Sequence, residues 1–300
     1  MDSALIIDKA AGMTSHDVVA RVRRLVGERS IGHLGTLDPA ATGVLPLLTG
    51  RLTRLAQFFQ ARDKEYEGEM VLGQATTTYD AMGEPVGPPA TRLVALAEIE
   101  VALPAFRGRI FQQPPPYSAK KTGGRRAYVL ARQQQPVQLA AVRVEVSDFS
   151  LLALEGQRLR FHVCCSTGTY VRALAHDLGQ ALGVGAHLGP LRRTRAGEFT
   201  LERAVSLDAL AERLAAAGAD PAARAAALAA VSIPATELLP EFPAVVAPPD
   251  AVHRLRQGRT ANLPEFSKTL TVRVFLPDGV LLAIARRVAG SLFQPKIVFS

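Results

Sequence analysis

One aspartate, Asp38, sits in a stretch that reads HLGTLDPAATG over residues 33–43. Pro39 biases it towards extended backbone, and Gly32, Gly35 and Gly43 permit tight turns or close approach to another group. The stretch is too broken for a helix and too apolar for an ordinary surface turn. A carboxylate held in this way has two readings. It opens a turn, as aspartate before proline commonly does, or it presents one negative charge to a reacting centre. Two-carboxylate glycoside hydrolysis would need a second acid, and neither that acid nor a further metal ligand stands nearby. His33, taken alone, reads as a hydrogen-bonded surface or core histidine.

The flanking elements must hold this loop. LIID (Leu5 to Asp8) suits a short buried strand. TSHDVVARVRRLVG predicts a helix capped at Thr14 or Ser15, ending at Gly27, with Val18, Val19, Val22, Leu25 and Val26 on one face. Helical spacing returns over Leu52 to Ala61, and Lys64 to Gly73 alternates as a strand does. Thr91 to Phe106 reads as a helix ending near Pro104. Residues 112–126 hold too many Pro, Gly and basic residues for one regular element. Val142 to Leu152 and Arg158 to Ser166 read as strands, Gly168 to Gly183 as a helix, and Leu207 to Ala230 as helix broken at AGADP. LLPEFPAVVAPPD reads as a linker, and Val252 to Gly258 as a short helix. Two strands then flank a Pro-Asp-Gly turn.

The 300 residues carry 35 Lys+Arg against 27 Asp+Glu, and that excess points to a polyanionic partner, nucleic acid before an acidic membrane. Cys164 and Cys165 are adjacent, which fits a reduced compartment and makes no zinc site. With no run of 18 apolar residues and no basic flank ahead of an apolar start, the expectation is a cytoplasmic protein without a membrane segment.

Taken together, DKAAGMTSHDVV, GHLGTLDPAATGVLPLLTG, DKEYEGEMVLGQATTTYDAMGE, QQPPPYSAKKTGGRRAYVLAR and CCSTGTYVRALAHDLGQALGVGAHLGPLRRTRAGEF resemble the TruB-type tRNA pseudouridine-55 synthases. The likeness is collinear from Leu5 to Phe199 and weaker from Leu255 onward. It implies an α/β (α+β) fold of the pseudouridine synthase type: a mixed, mostly antiparallel sheet flanked by helices, followed by a small β pseudo-barrel. The implied division is a catalytic domain over 1–238 and a PUA-like RNA-binding domain over 239–300.

The resemblance also implies the activity: a T-loop uridine is flipped out, its base detached, rotated and rejoined through carbon. By that similarity Asp38 is the essential carboxylate, Tyr66 packs on the target base and assists proton removal, and Arg172 pairs with Asp38 to orient it. Leu191 would form an apolar wall, and His33 would fill the space that the flipped base leaves. Lys64, Lys120, Arg192 and Arg193, with Lys121, Arg125, Arg126 and Arg195, are candidates for phosphate contacts. Residues 112–126 would form a mobile clamp on the RNA. No cofactor or metal is implied, because the isomerisation involves no net redox change or hydrolysis. The partner implied is tRNA, met at the T-arm and the acceptor end by a monomer without guide RNA. Departures from the family pattern are Leu34, Thr167, Thr77 within TTT where an acid is usual, and His176 in place of an acid.

Three rival readings differ in testable ways. A subunit of a guide-RNA particle would be inactive on bare tRNA. An RNA-folding protein would keep its role without Asp38. A glycoside hydrolase would release free uracil.

Overall fold

Thr14 accepts from the Asp17 amide while the Asp17 carboxylate accepts from the Thr14 amide, so the helix Ser15–Val26 begins at its sequence signal; Gly27, at φ 71°, ends it. This is seen in a computed structural model, which describes residues 2–299 apart from 119, 123, 134 and 136–138. The side chains at 121, 122, 126 and 132 also lie outside the described set.

The spine is a ten-stranded mixed sheet. Eight strands run in the order Ser232–Pro234, Ser3–Lys9, Thr42–Thr49, Ala186–Ala196, Lys64–Leu72, Arg158–Cys165, Val142–Glu155 and Gly108–Gln112. Ile31–His33 adds to Thr42–Thr49, and Phe199–Thr200 adds to Ala186–Ala196. Ladder neighbours in this sheet are antiparallel except Thr42–Thr49 and Ala186–Ala196, which run parallel with Arg193 beside Gly43. The mixed, mostly antiparallel architecture expected from the sequence is therefore present.

That parallel seam explains one glycine. Gly43 has φ +98°, and a Cβ there would lie 2.2 Å from the Arg193 carbonyl oxygen. The close approach read from the loop is made to a neighbouring strand. Both strands of the seam escape sequence reading. VLPLLT carries Pro46, and AHLGPLRRTRA carries Gly189, Pro190 and three arginines. A bulge between Leu188 and Leu191 absorbs the Gly-Pro pair, and Arg193 turns inward, so no apolar alternation survives.

Other boundaries shift. Leu52 to Ala61 becomes a 3₁₀ turn, Gly50–Leu55, followed by a single α turn, Ala56–Phe59. The helix expected from Thr91 starts only at Leu96, and the one expected from Gly168 spans Val171–Ala181. The linker-like LLPEFPAVVAPPD contains the strand Ala244–Val246, parallel to Thr271–Phe275.

A second sheet, of five strands, runs Ala244–Val246, Thr271–Phe275, Leu281–Ala289, Leu292–Val298, Ala261–Asn262. Its Phe275, Leu281, Ile284, Ile297 and Phe299 pack in one apolar cluster with Leu34, Val44, Leu48, Leu52 and Phe59 beneath the large sheet. Leu238 and Leu239 lie within that cluster. Buried Arg273 fastens the junction by donating to the carbonyls of Thr236, Leu238 and Phe242. Among the described residues no helix is long and apolar enough to cross a membrane.

Candidate active site

The loop bearing Asp38 leaves one strand at His33 and enters the next at Thr42. Buried cations clamp it from both ends. Lys9 Nζ donates to the carbonyls of Ala10, Pro39 and Ala41 at 2.9, 3.1 and 2.6 Å. Arg193, 1% exposed, donates from Nη2 to Gly35, from Nη1 to Thr36 and from Nε to Val44. Ser15 Oγ accepts from the Leu37 amide at 2.9 Å. Burial lowers the Lys9 pKa, an effect that nearby Asp38 partly offsets. The charges satisfy backbone groups that a buried loop would otherwise leave unpaired. The loop is thus a fixed mount, and the Asp38 side chain remains 46% exposed at its apex.

Arg172, in the first turn of the helix Val171–Ala181, meets Asp38 from the side. Its Nε lies 2.9 Å from Oδ2 and its Nη2 donates to Oδ1 at 3.4 Å. The Nε approach is off the hydrogen-bond axis, so that contact is ionic more than directional. The Arg172 side chain is 8% exposed, and the rest of its guanidinium is committed too. Nη1 donates to the Thr78 carbonyl at 3.0 Å and lies 3.5 Å from Asp80 Oδ2, while Nη2 donates to the Tyr117 carbonyl at 3.1 Å. One cation therefore gathers two carboxylates and two carbonyls. Asp80 is anchored in turn by the hydroxyl of Thr78, and its own carbonyl accepts from Thr76 Oγ1. Between them Tyr79 adopts φ +65°, a left-handed conformation that costs a non-glycine residue about 1–3 kcal/mol.

Tyr66 lies buried on the Lys64–Leu72 strand opposite Arg193. Burial raises its phenol, so the hydroxyl keeps its proton at neutral pH. Two residues on, Gly68 faces Leu191 across the ladder. Leu191 lines a cavity of about 610 Å³ together with Ala40, Thr42, Asp80, Met82 and Arg160. That volume falls within the range of about 300–1,000 Å³ usual for small-ligand sites. A second cavity, of about 580 Å³, is lined by Asp2, Glu28, Arg51 and Arg54 and holds none of the expected site residues. His33 stands at the start of the loop with the His16 ring edge-on at 5.4 Å. Burial, then His16 and Arg193, lower its pKa, so the imidazole is neutral at pH 7.

The structure thus brings Asp38 and Arg172 into contact and puts Leu191 on a cavity that Asp80, the second carboxylate at Arg172, also lines, whereas Asp38, Tyr66 and Arg172 lie outside its lining. It treats the basic candidates differently. Arg193 and Lys64 are buried, Lys64 donating to the carbonyls of Gln60 and Arg62. Both were candidates for phosphate contacts; both instead satisfy backbone oxygens. Arg192 pairs with Asp8 at 2.8 Å and Arg195 pairs with Glu65, each partly exposed. Lys120 and Arg125 are exposed; the side chains of Lys121 and Arg126 lie outside the described residues. The segment expected to be a mobile clamp is tied down at its start. Gln112 exchanges hydrogen bonds with the Tyr170 backbone, and Tyr117 accepts from Arg172.

Sequence reasoning missed Lys9 and Asp80. A lysine closing an apolar strand carries no local mark of burial, and Asp80 becomes a partner of Arg172 only after folding. Arg160 was missed too; it lines the cavity, is exposed and makes no ion pair among the described residues. No group of three or more His, Cys, Asp or Glu side chains is placed to hold a metal ion among the described residues.

A family model described as TruB family pseudouridylate synthase (N terminal domain) matches residues 23–171. Another, described as tRNA pseudouridylate synthase B C-terminal domain, matches residues 172–239. The chain is 45% identical over 301 residues to tRNA pseudouridine synthase B of Solibacter usitatus, covering 99% of this chain and 100% of that one. It is 41% identical over 288 residues to the protein of the same name in Geobacillus kaustophilus, covering 93% and 98%. Among solved structures, a chain from a Cbf5-Nop10-Gar1 complex superposes with a TM-score of 0.72 at 26% identity, covering 99% of this chain and 85% of that chain. A chain from an H/ACA RNP bound to a substrate RNA containing 2'-deoxyuridine gives a TM-score of 0.71 at 25% identity, with the same coverage.

Proposed function

Since the chain belongs to the TruB family of pseudouridylate synthases and converts uridine to pseudouridine in tRNA, we propose that its target is the T-loop uridine at position 55 and that Asp38 is the carboxylate on which the reaction turns. The observation that carries this reading is the mounting of Asp38. It is half exposed, its loop is clamped by buried Lys9 and Arg193, its carboxylate is gripped by Arg172, and Ala40 and Thr42 of the same loop border the cavity.

Breaking the bond between the sugar C1' and N1 of uracil leaves positive charge developing on the sugar. A fixed negative oxygen stabilises that charge or bonds to it, and needs little reorganisation when the charge appears. The base then turns, C1' bonds to C5, the C5 hydrogen leaves to solvent and N1 gains a proton. Tyr66 and Leu191 supply apolar packing for the ring. The raised phenol of Tyr66 favours packing over service as a base. Asp80 holds Arg172 from the side opposite Asp38 and so acts as a positioning residue.

Tritium release from a bare T-arm transcript labelled at uracil C5 tests the reading. Release in step with pseudouridine formation is expected. No release, or the appearance of free uracil, rejects it. Because no guide or protein partner is added, the same assay examines action by the chain alone. The full-length 45% relative bears the tRNA enzyme name, whereas the RNP chains stand at 25–26% identity. In this reading a monomer works in the cytoplasm without guide RNA. Residues 1–238 form the catalytic unit, and the PUA-like unit over 239–300 meets the acceptor end. Among the candidates with described side chains and the newly found Arg160, Lys120, Arg125, Arg160, Arg192 and Arg195 stand where they can meet phosphates.

A stacked uridine must swing out to reach Asp38, at a cost of a few kcal/mol. The neutral His33 ring, at the mouth of the loop, is suited to stack in the vacated space. His33→Ala is expected to slow conversion of a folded T-arm about tenfold or more, at roughly 1.4 kcal/mol per tenfold. It should slow an unstructured uridine oligonucleotide much less. Equal losses on both substrates, measured as initial rates, would argue against the wedge.

A further inference from the structure

Resting on that reading, a further role falls to the turn that faces Arg172. Thr78 offers its carbonyl to Arg172 and Asp80 its carboxylate, so the residue between them sets the aim of both. That residue is Tyr79, held at φ +65°. A bulky side chain keeps such a conformation only where its surroundings over-determine it. Some of the restraint is backbone: the Leu188 amide donates to the Tyr79 carbonyl at 2.9 Å, and the Tyr79 amide donates to the Thr76 carbonyl at 3.3 Å. The rest is the ring. Tyr79 stacks face to face on His176, with centroids 3.8 Å apart and planes within 9°.

His176 lies one helical turn beyond Arg172 on the same helix. One rigid element therefore holds the turn at two points, by a guanidinium and by an aromatic face. The imidazole makes little polar use of its position. Its Nδ1 is buried without a hydrogen-bond partner among the described residues, and burial lowers its pKa. A ring held neutral and stacked serves as a flat surface and not as a proton carrier.

We propose that the Tyr79–His176 stack is a positioning clamp for the catalytic centre: it holds the strained turn that aims Thr78 and Asp80 at Arg172, and through Arg172 it orients Asp38. Neither ring touches the reacting atoms. A small displacement of Asp38 would suffice to slow the chemistry, since a misplacement of about 1 Å can cost on the order of 100-fold.

The test uses the whole chain, T-arm RNA labelled at uracil C5, and thermal midpoints for every variant. His176→Ala should lower kcat about tenfold and leave KM within about twofold, the signature of lost positioning. His176→Phe, which keeps a flat ring and gives up two nitrogens that make no hydrogen bond among the described residues, should restore most of kcat. Tyr79→Gly removes the ring and the strain together: glycine adopts φ +65° freely but also leaves it freely, so the midpoint holds while the turn is no longer fixed and kcat falls as in His176→Ala. In an Asp80→Asn background, His176→Ala should add little further loss, because both act through one turn. Wild-type kcat in His176→Ala or in Tyr79→Gly overturns the clamp. So does a loss that a folded His176→Phe does not repair. Asp38→Asn runs alongside. If the wild type releases no tritium, the functional reading fails. If only Asp38→Asn is inactive while His176→Ala is fully active, the clamp alone fails.

Discussion

Asp38→Asn should bind tRNA with wild-type affinity and lose conversion by about 10⁴-fold or more, as expected when the group that stabilises or bonds to the reacting centre loses its charge. Asparagine keeps the shape of the side chain and removes only its negative charge. The mount does not depend on that charge. Lys9 and Arg193 grip backbone carbonyls at 35, 36, 39, 41 and 44, and Ser15 holds Leu37, so the loop retains its path in the variant. The side chain is half exposed, so little packing is disturbed. Affinity should come mainly from phosphates and the wider RNA surface, which are untouched. Filter binding and single-turnover tritium release on the same preparation measure the two quantities. Conversion within tenfold of wild type would remove Asp38 from the chemistry.

The second large effect is expected at Arg172. Arg172→Ala should lower kcat by about 10²–10³-fold, with tRNA affinity changed only a few-fold, because the lost interactions orient the carboxylate and do not hold the ligand. Four groups lose the guanidinium together: Asp38, Asp80 and the carbonyls of Thr78 and Tyr117, with Asp80 keeping the Thr78 hydroxyl and the Met82 amide. Removing one member of a buried ion pair typically costs about 3–5 kcal/mol, and the exposure of Asp38 brings the expected loss below that range. Assays well below the melting midpoint separate this destabilisation from the catalytic loss. Arg172→Lys should rescue kcat poorly, since an ammonium cannot reach carboxylates on both sides and two carbonyls at once. An unchanged kcat in Arg172→Ala, or a loss confined to affinity, would show that the guanidinium serves RNA binding and not the orientation of Asp38.

The helix Ser15–Val26, the strands around Tyr66 and Phe161, and the hairpin about Pro277 to Gly279 were legible because each carries its own signal: a capping residue, strict alternation, a turn dipeptide. The seam of Thr42–Thr49 and Ala186–Ala196 was not. Its residues obey no local period, because Pro46, the Gly189–Pro190 bulge and an inward arginine are satisfied only by neighbours distant in the chain. Lys64 and Arg193 show the same limit from the side of charge. A cation in a basic stretch reads as a phosphate ligand until the fold buries it against carbonyls.

The chain's order of residues by itself determined the lone Asp38 between glycines and prolines, the Arg172 helix and the resemblance to one enzyme family, since these are properties of type and spacing. Only the tertiary structure decided which cations build the mount and which stay at the surface. It alone brought Asp80, and behind it Tyr79 and His176, to Arg172. The physical reason is that the fate of a buried charge or a strained turn depends on partners from distant segments, and those come within reach only when the sheet closes around them.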